Sequence, residues 1–321
     1  MKTSPATYLQ VAASAVALML GWPGAVYAGA NGSGGNTGQL PVDQIEKIIQ
    51  IQGDIENGIL HLEVERNDIG DVQGPMGPVK PGGPNVPQVT FDGAFEINGD
   101  IFFQPLGNGQ AFLNADMALK EEEVNPFIFT LLKDGLIFQA FHQHLPMHPQ
   151  VWFVHYRGIG DAIALAKAIS DAISVTSTPL PQAPPPNPST PLDPGKLAAI
   201  LHADQVSVGD EGVVTLWVYR RDQVTIDGVQ VNPQANISTN IEFKPLGGSQ
   251  AAVVPDFSME SSEIVPVVRL MLNQLGWYQG CLYNQETNEY EQLFFDHMLK
   301  VGDAYQLARE IREGLNLTEA R

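Results

Sequence analysis

The sequence predicts an α+β fold made of two tandem copies of one unit, each reading helix, strands, helix, two strands, helix, with mostly antiparallel sheets. Three observations predict it. Segments on the two sides of a Pro-rich stretch at 176–192 resemble each other in the same order. Strands cluster between helices in each half instead of alternating with them one by one. The apolar residues also change from a period of two to helical spacing at matching places in both halves.

The first copy is expected over 42–175 and the second over 193–317, with 176–192 as a semi-rigid linker. Each opens on a helix. The first runs over Val42–Gln52; in the second, Asp193 caps, Pro194 takes the first helical position and the helix reaches about His202. A strand follows at Ile59–Asn67, matched by Val213–Arg221. Leu60, Leu62 and Val64 alternate with polar residues, as do Val214, Leu216 and Val218. Further strands are expected at Val89–Ile97, Asp100–Gln104 and Gln110–Met117, with partners near Thr239–Phe243 and Gln250–Met259. Glu123-Val124-Asn125-Pro126 then aligns with Glu263-Ile264-Val265-Pro266. Each proline is placed at a helix start, and Gly135 and Gly276 at its stop. A strand at Phe138-Gln139-Ala140 matches Tyr278-Gln279-Gly280, and Val151–Tyr156 matches Gln292–His297. Gly160-Asp161 and Gly302-Asp303 open the last helices, the aspartates capping them.

The offset between copies is 154 positions from Arg66 to Arg220 but 140 from Glu123 to Glu263. The difference falls in the Gly/Pro-rich loop Gly70–Gln88, present only in the first copy, which reads as a lid or as a plain insertion.

Composition bounds the partners. The 321 residues, 44% hydrophobic, suffice for two packed domains. A net charge of −19 argues against nucleic acid and against an anionic membrane surface. Lys2, the apolar run Val11–Trp22, Pro23-Gly24 and the small-residue site Val26-Tyr27-Ala28 read as a secretory signal over 1–28. The mature protein is then expected in the periplasm or secreted, with no transmembrane anchor after cleavage. Cys281, the one cysteine, excludes an internal disulfide and is expected to be an inert buried thiol.

The candidate chemistry lies in histidines. Four of the seven fall between 142 and 155. His142 and His144 share a strand face, because side chains two apart point the same way. Pro146 ends that strand, and His155 on the returning strand can face the same side. With Glu123 from the preceding helix start, His142, His144 and His155 form a donor set for a divalent transition metal: Zn, Cu, Ni, Fe or Mn. The competing reading is a hydrogen-bonded histidine cluster without metal. In the second copy Glu263 matches Glu123 and His297 matches His155, while His142 aligns with Leu282 and His144 with Asn284. The second site therefore reads as degenerate. No phosphate-binding loop or nucleophile elbow accompanies these residues.

At Glu123-Val124-Asn125-Pro126, Phe141-His142-Gln143-His144-Leu145, and Phe153-Val154-His155-Tyr156 with Gly160-Asp161, the sequence resembles the LppY/LpqO family of secreted bacterial proteins. The resemblance covers roughly 42–175 well and 192–316 as a degenerate copy. It implies export and a shared fold but no reaction, since the family is known chiefly as a domain of unknown function. The lipid-bearing cysteine of some members has no counterpart here. Three functions are therefore carried forward: an exported metal-binding protein, a metal-dependent hydrolase, and a metal-free binding or structural module of the envelope.

Overall fold

The computed structural model describes residues 40–185, 187–285 and 292–320. The signal expected over 1–28 lies outside them. The first copy contains α1 (Val42–Ile49), β1 (Asp54–Glu56), β2 (Ile59–Glu63), β3 (Val72–Gly74), β4 (Val89–Phe91), β5 (Asp100–Gly107), β6 (Gln110–Leu119), α2 (Glu121–Lys133), β7 (Ile137–His142), β8 (Trp152–Asp161) and α3 (Ala162–Ile173). The second contains α4 (Pro194–Leu201), β9 (Gln205–Val208), β10 (Val214–Val218), β11 (Val224–Ile226), β12 (Val229–Val231), β13 (Thr239–Gly247), β14 (Gln250–Glu260), α5 (Ser261–Val268), β15 (Tyr278–Asn284), β16 (Leu293–Asp303) and α6 (Ala304–Leu315). Each copy forms a six-stranded antiparallel sheet, ordered β1-β2-β5-β6-β8-β7 in one and β9-β10-β13-β14-β16-β15 in the other.

Alternation along the strands explains the layers. On β6, Ala111, Leu113, Ala115, Met117 and Leu119 face helices α1, α2 and α3 in one core, while Phe112 and Ala118 face the other way. On β14, Ala251, Val253, Phe257 and Met259 face α4, α5 and α6, while Ala252 and Val254 face away. The faces without helices pack on each other. One inter-sheet core joins Phe91 and Phe153 to Ala252, Val254 and Leu299; another joins Phe102, Phe112 and Ala140 to Tyr283 and Phe295. The order is helices, sheet, sheet, helices, so each sheet is buried on both faces. Every such fully buried Leu, Val or Phe stabilises the fold by roughly 1.5–3 kcal/mol.

Matched details mark the two copies as one design. Helices α1 and α4 both end at a left-handed residue, Gln50 (φ 64°) and His202 (φ 53°), which stops α1 short of the expected Gln52. Asp161 and Asp303 cap α3 and α6 by accepting from the amides of Ala164 (2.9 Å) and Gln306 (3.0 Å). One expectation needs correcting. Helices α2 and α5 begin at Glu121 and Ser261, not at Pro126 and Pro266, which lie inside them. The cause is a capping box: Glu123 and Glu263 accept from the backbone amides of Lys120 (2.9 Å) and Glu260 (2.7 Å) and so nucleate the helix before the proline.

The Gly70–Gln88 loop contributes β3 and packs Val72 into the inter-sheet core. Gln73 pairs with His148 through two backbone hydrogen bonds of 3.0 and 2.8 Å, which ties the loop over the 143–151 segment. The stretch after α3 is laid along the first copy. Gln182 makes backbone bonds to Gln50 (2.9 Å) and Gln52 (3.0 Å), and Leu180 packs on the first helix-side core.

Candidate metal centre at the seam between the copies

A polar row crosses the middle of each apolar sheet. In the first, Glu63 stands opposite Asp100, and Asp116 opposite His155. Asp100 and Asp116 are joined by a 2.7 Å bond from the Asp100 amide to the Asp116 carboxylate. In the second, Asn240 stands opposite Asp256, and Asp256 opposite His297. Both rows point into the seam between the sheets. His155 and His297 therefore occupy equivalent places and face each other's copy.

The three histidines of the first copy do converge. The ring of His142 lies 5.2 Å from that of His144 and 4.9 Å from that of His155. β7 ends at His142, so His144 reaches the cluster from the bend beyond the strand. The second copy closes the group: His297 stacks on His144 at 3.8 Å and Tyr283 on His142 at 3.7 Å. Glu96 accepts from or donates to His144 Nδ1 at 3.0 Å. Two donor triads result, His142/His144/His155 and Glu96/His144/His297, each with all ligand atoms within 4.8 Å of one another. His144 belongs to both. A chamber of about 30 Å³ beside these side chains has room for an ion or a water but not for an organic ligand.

The electrostatics favour donors over cations. Burial brings His142 down to about 3. Burial, then the neighbouring imidazoles, holds His144, His155 and His297 well below the ordinary histidine value. All four are thus neutral imidazoles, the form that binds metal. His142 Nε2, His144 Nε2 and both nitrogens of His155 are buried with no hydrogen-bond partner. Each such orphan costs about 1–3 kcal/mol. Burial first, then Glu242, pushes Glu96 well above the usual carboxylate range.

Glu123 is not in this cluster, which corrects the expected ligand set. It is 5% exposed and holds the guanidinium of Arg66, itself fully buried, at 2.7 and 3.0 Å. It also accepts from the amide of Ser177 at 2.7 Å. Glu263 repeats the arrangement with Arg220 at 2.9 Å and the amide of Glu319 at 2.7 Å. Both carboxylates are helix-start anchors for a buried arginine, placed on the helix side of their sheets. The alignment of the second copy also moves by one residue. Phe141 pairs with Val154 and His142 with Phe153, as Leu282 pairs with Asp296 and Tyr283 with Phe295. His142 thus corresponds to Tyr283, not Leu282, and His144 by continuation to Gln285.

The sequence reading missed Glu96, Asp116 and Asp256. Glu96 falls in the stretch expected as strand Val89–Ile97, but β4 stops at Phe91 and Glu96 sits at φ 69° in the turn beyond it; Asn236, in the equivalent turn, has φ 58°. A signal existed for the aspartates: Asp116 and Asp256 each interrupt an apolar strand with an ionisable residue.

The chamber adjoins a larger cleft of about 450 Å³ between the other edges of the sheets. Asn98, Asp100, Asn240 and Glu242 line both spaces. The cleft carries Asp54, Glu63, Glu65, Asp210 and the His61–Asp100 pair (2.5 Å), and no Lys or Arg among its described lining residues.

A family model described as Domain of Unknown Function (DUF1259) matches residues 83–175 and again 196–317. No curated protein and no solved structure matches the chain.

Proposed function

Because the chain belongs to the DUF1259 family and carries that domain of unknown function twice, we propose a function from the site itself: the protein binds a divalent transition metal ion in the chamber between its two copies. The donors are His142, His144, His155, His297 and Glu96. One observation carries this reading. Four imidazole nitrogens of three buried histidines lack any hydrogen-bond partner, an arrangement that is costly unless something binds them. Neutral imidazoles with one carboxylate suit Zn, Cu, Ni, Fe or Mn. The ion would supply Lewis acidity. The chain's own groups hold it, shield it from bulk water and set its access through Asp100 and Glu242.

The continuity of chamber and cleft favours a second reading, metal-dependent hydrolysis, with the substrate in the 450 Å³ space. A cleft with several carboxylates and no Lys or Arg among its described lining residues disfavours phosphate or carboxylate substrates and favours neutral or cationic ones. The LppY/LpqO resemblance and the signal-like 1–28 segment extend the proposal to an exported, periplasmic or secreted metal protein.

Elemental analysis of protein purified without an affinity metal tests the proposal. About one equivalent of transition metal is expected, and His144→Gln, which gives the first copy the residue of the second, should abolish it. Absence of metal after Zn, Cu, Ni, Fe and Mn have each been offered overturns the reading in favour of a metal-free histidine cluster.

A further inference from the structure

We infer that Cys281 is a thiolate ligand of this centre, supplied by the second copy, and that it selects a thiophilic ion such as Zn²⁺, Co²⁺ or Cu⁺ over Mn²⁺. The inference rests on the metal reading above and adds a donor that changes which metal is held.

The thiol is placed by backbone contact. Gly280 brings β15 so close to the first copy that a Cβ at 280 would lie 2.5 Å from the carbonyl oxygen of His144 and 2.6 Å from that of His297. The next residue, Cys281, donates its amide to the same His144 carbonyl at 3.0 Å. Its Sγ then lies 3.4 Å from His142 Nδ1 and 3.6 Å from His297 Nδ1. One of these imidazoles belongs to the first donor triad and the other to the second. Sγ therefore adjoins one imidazole of each triad, at the point where the two meet.

The distances fit ligation. A sulfur about 2.3 Å and a nitrogen about 2.0–2.1 Å from one tetrahedral ion stand roughly 3.5 Å apart. A thiol carries a single proton, so it can donate to one of the two nitrogens and not to both. Sγ faces the Nδ1 edge of the His142 ring, a residue 9% exposed, and the orphaned Nε2 lies across the same ring, on the side of the donor triad. When the ion binds, the S–H bond breaks, the sulfur–metal bond forms with the sulfur's electron pair, and the proton leaves to solvent. No redox change is involved. In the first copy the strand position equivalent to Cys281 is Ala140, so this donor belongs to the second copy alone.

Anaerobic titration of the full chain with Co²⁺ tests the assignment. The expected result is a sulfur-to-cobalt charge-transfer band in the near ultraviolet together with visible d–d absorption. In Cys281→Ser the band should vanish while the d–d absorption remains. Zn²⁺ affinity should fall by at least the 10–100-fold that follows loss of a supporting outer partner, with Mn²⁺ affinity little changed. Because Cys281 is only partly buried, a second measurement needs no variant: Co²⁺ should slow alkylation of the wild-type thiol. Cobalt bound without the band, and without protection from alkylation, overturns the thiolate ligand and leaves the histidine centre standing. No cobalt bound at all overturns the metal reading and this inference with it.

Discussion

Replacing Glu123 with Gln separates a structural carboxylate from a metal-binding one. The Glu123 carboxylate accepts from Arg66 Nη2 at 2.7 and 3.0 Å, from the Lys120 amide at 2.9 Å, and from the Ser177 amide and hydroxyl at 2.7 Å each. An amide side chain keeps one acceptor oxygen and turns the other into a donor facing donors. The positive Arg66, fully buried, then loses one of its two carboxylate partners and keeps only Asp68. Breaking one side of a buried pair costs about 3–5 kcal/mol, which in a chain of this size lowers the melting temperature by roughly 10 °C. Glu263→Gln should cost a similar amount, since Arg220, Glu260 and Glu319 repeat the geometry. Metal content, read by elemental analysis beside the melting curves, should be unchanged in both variants. A Glu123→Gln protein that melts like wild type but has lost its metal would refute the assignment of Glu123 to the ion pair.

The same carboxylates set an acid limb. Burial pushes Glu123 and Asp68 up, but for Glu123 the Ser177 amide and Arg66, and for Asp68 the Arg66, Lys120 and Ser177 side chains, leave both below the ordinary carboxylate value. A depressed folded pKa gives stability that is complete above the unfolded value of about 4 and is lost as the pH falls through the folded one. Denaturant midpoints followed downward from about pH 5 should therefore drop, and drop less in Glu123→Gln. Arg157→Met removes the buried contact of 2.7 Å from β8 to Asp227 in the β11–β12 turn. A stability loss of about 3–5 kcal/mol is expected by chemical denaturation, and an unchanged midpoint would show that this link between copies is idle. Gly280→Ala forces a methyl against two backbone oxygens, which no rotamer can relieve. Thermal unfolding should come several degrees lower and metal affinity should fall, both measured on the same preparation.

Local signals carried much of the fold. The caps Asp161, Asp193 and Asp303, the Pro194 helix start and the alternation of Leu60-Leu62-Val64 are properties of a few adjacent residues, and the structure bears them out. Glu123 was misread because its position before Pro126 says nothing about which face of the sheet it serves; that depends on Arg66, 57 positions earlier. The one-residue slip at Leu282 arose ahead of the edge strands: Phe138 faces Tyr156 as Gln279 faces Met298, so the offset is already 141 there, one more than between Glu123 and Glu263, and the second copy has a π-helical stretch at Arg269–Gln274 where α2 stays α-helical. No spacing rule anticipates such a bulge. The role of His297 was hidden for a different reason. It was compared with His155 as a spare copy, whereas the sheets meet face to face and put it against His144. That convergence is a tertiary fact.

The seam has a consequence for the life history of the chain. The proposed donors come from positions as far apart as Glu96 and His297: the first copy alone supplies Glu96, His142, His144 and His155, and docking of the second adds His297. The closed chamber, with Tyr283 stacked on His142 and His297 on His144, comes into being only when the second copy has docked on the first, so under the proposed reading the full donor set is the last feature to mature. An ion bound there would act as a rivet to the extent that it prefers the closed form: with no affinity for the open form, a thousand-fold excess over its dissociation constant would add about 4 kcal/mol against separation of the halves. A chain cut between the copies would forfeit the rivet even if each half kept its own helices and sheet.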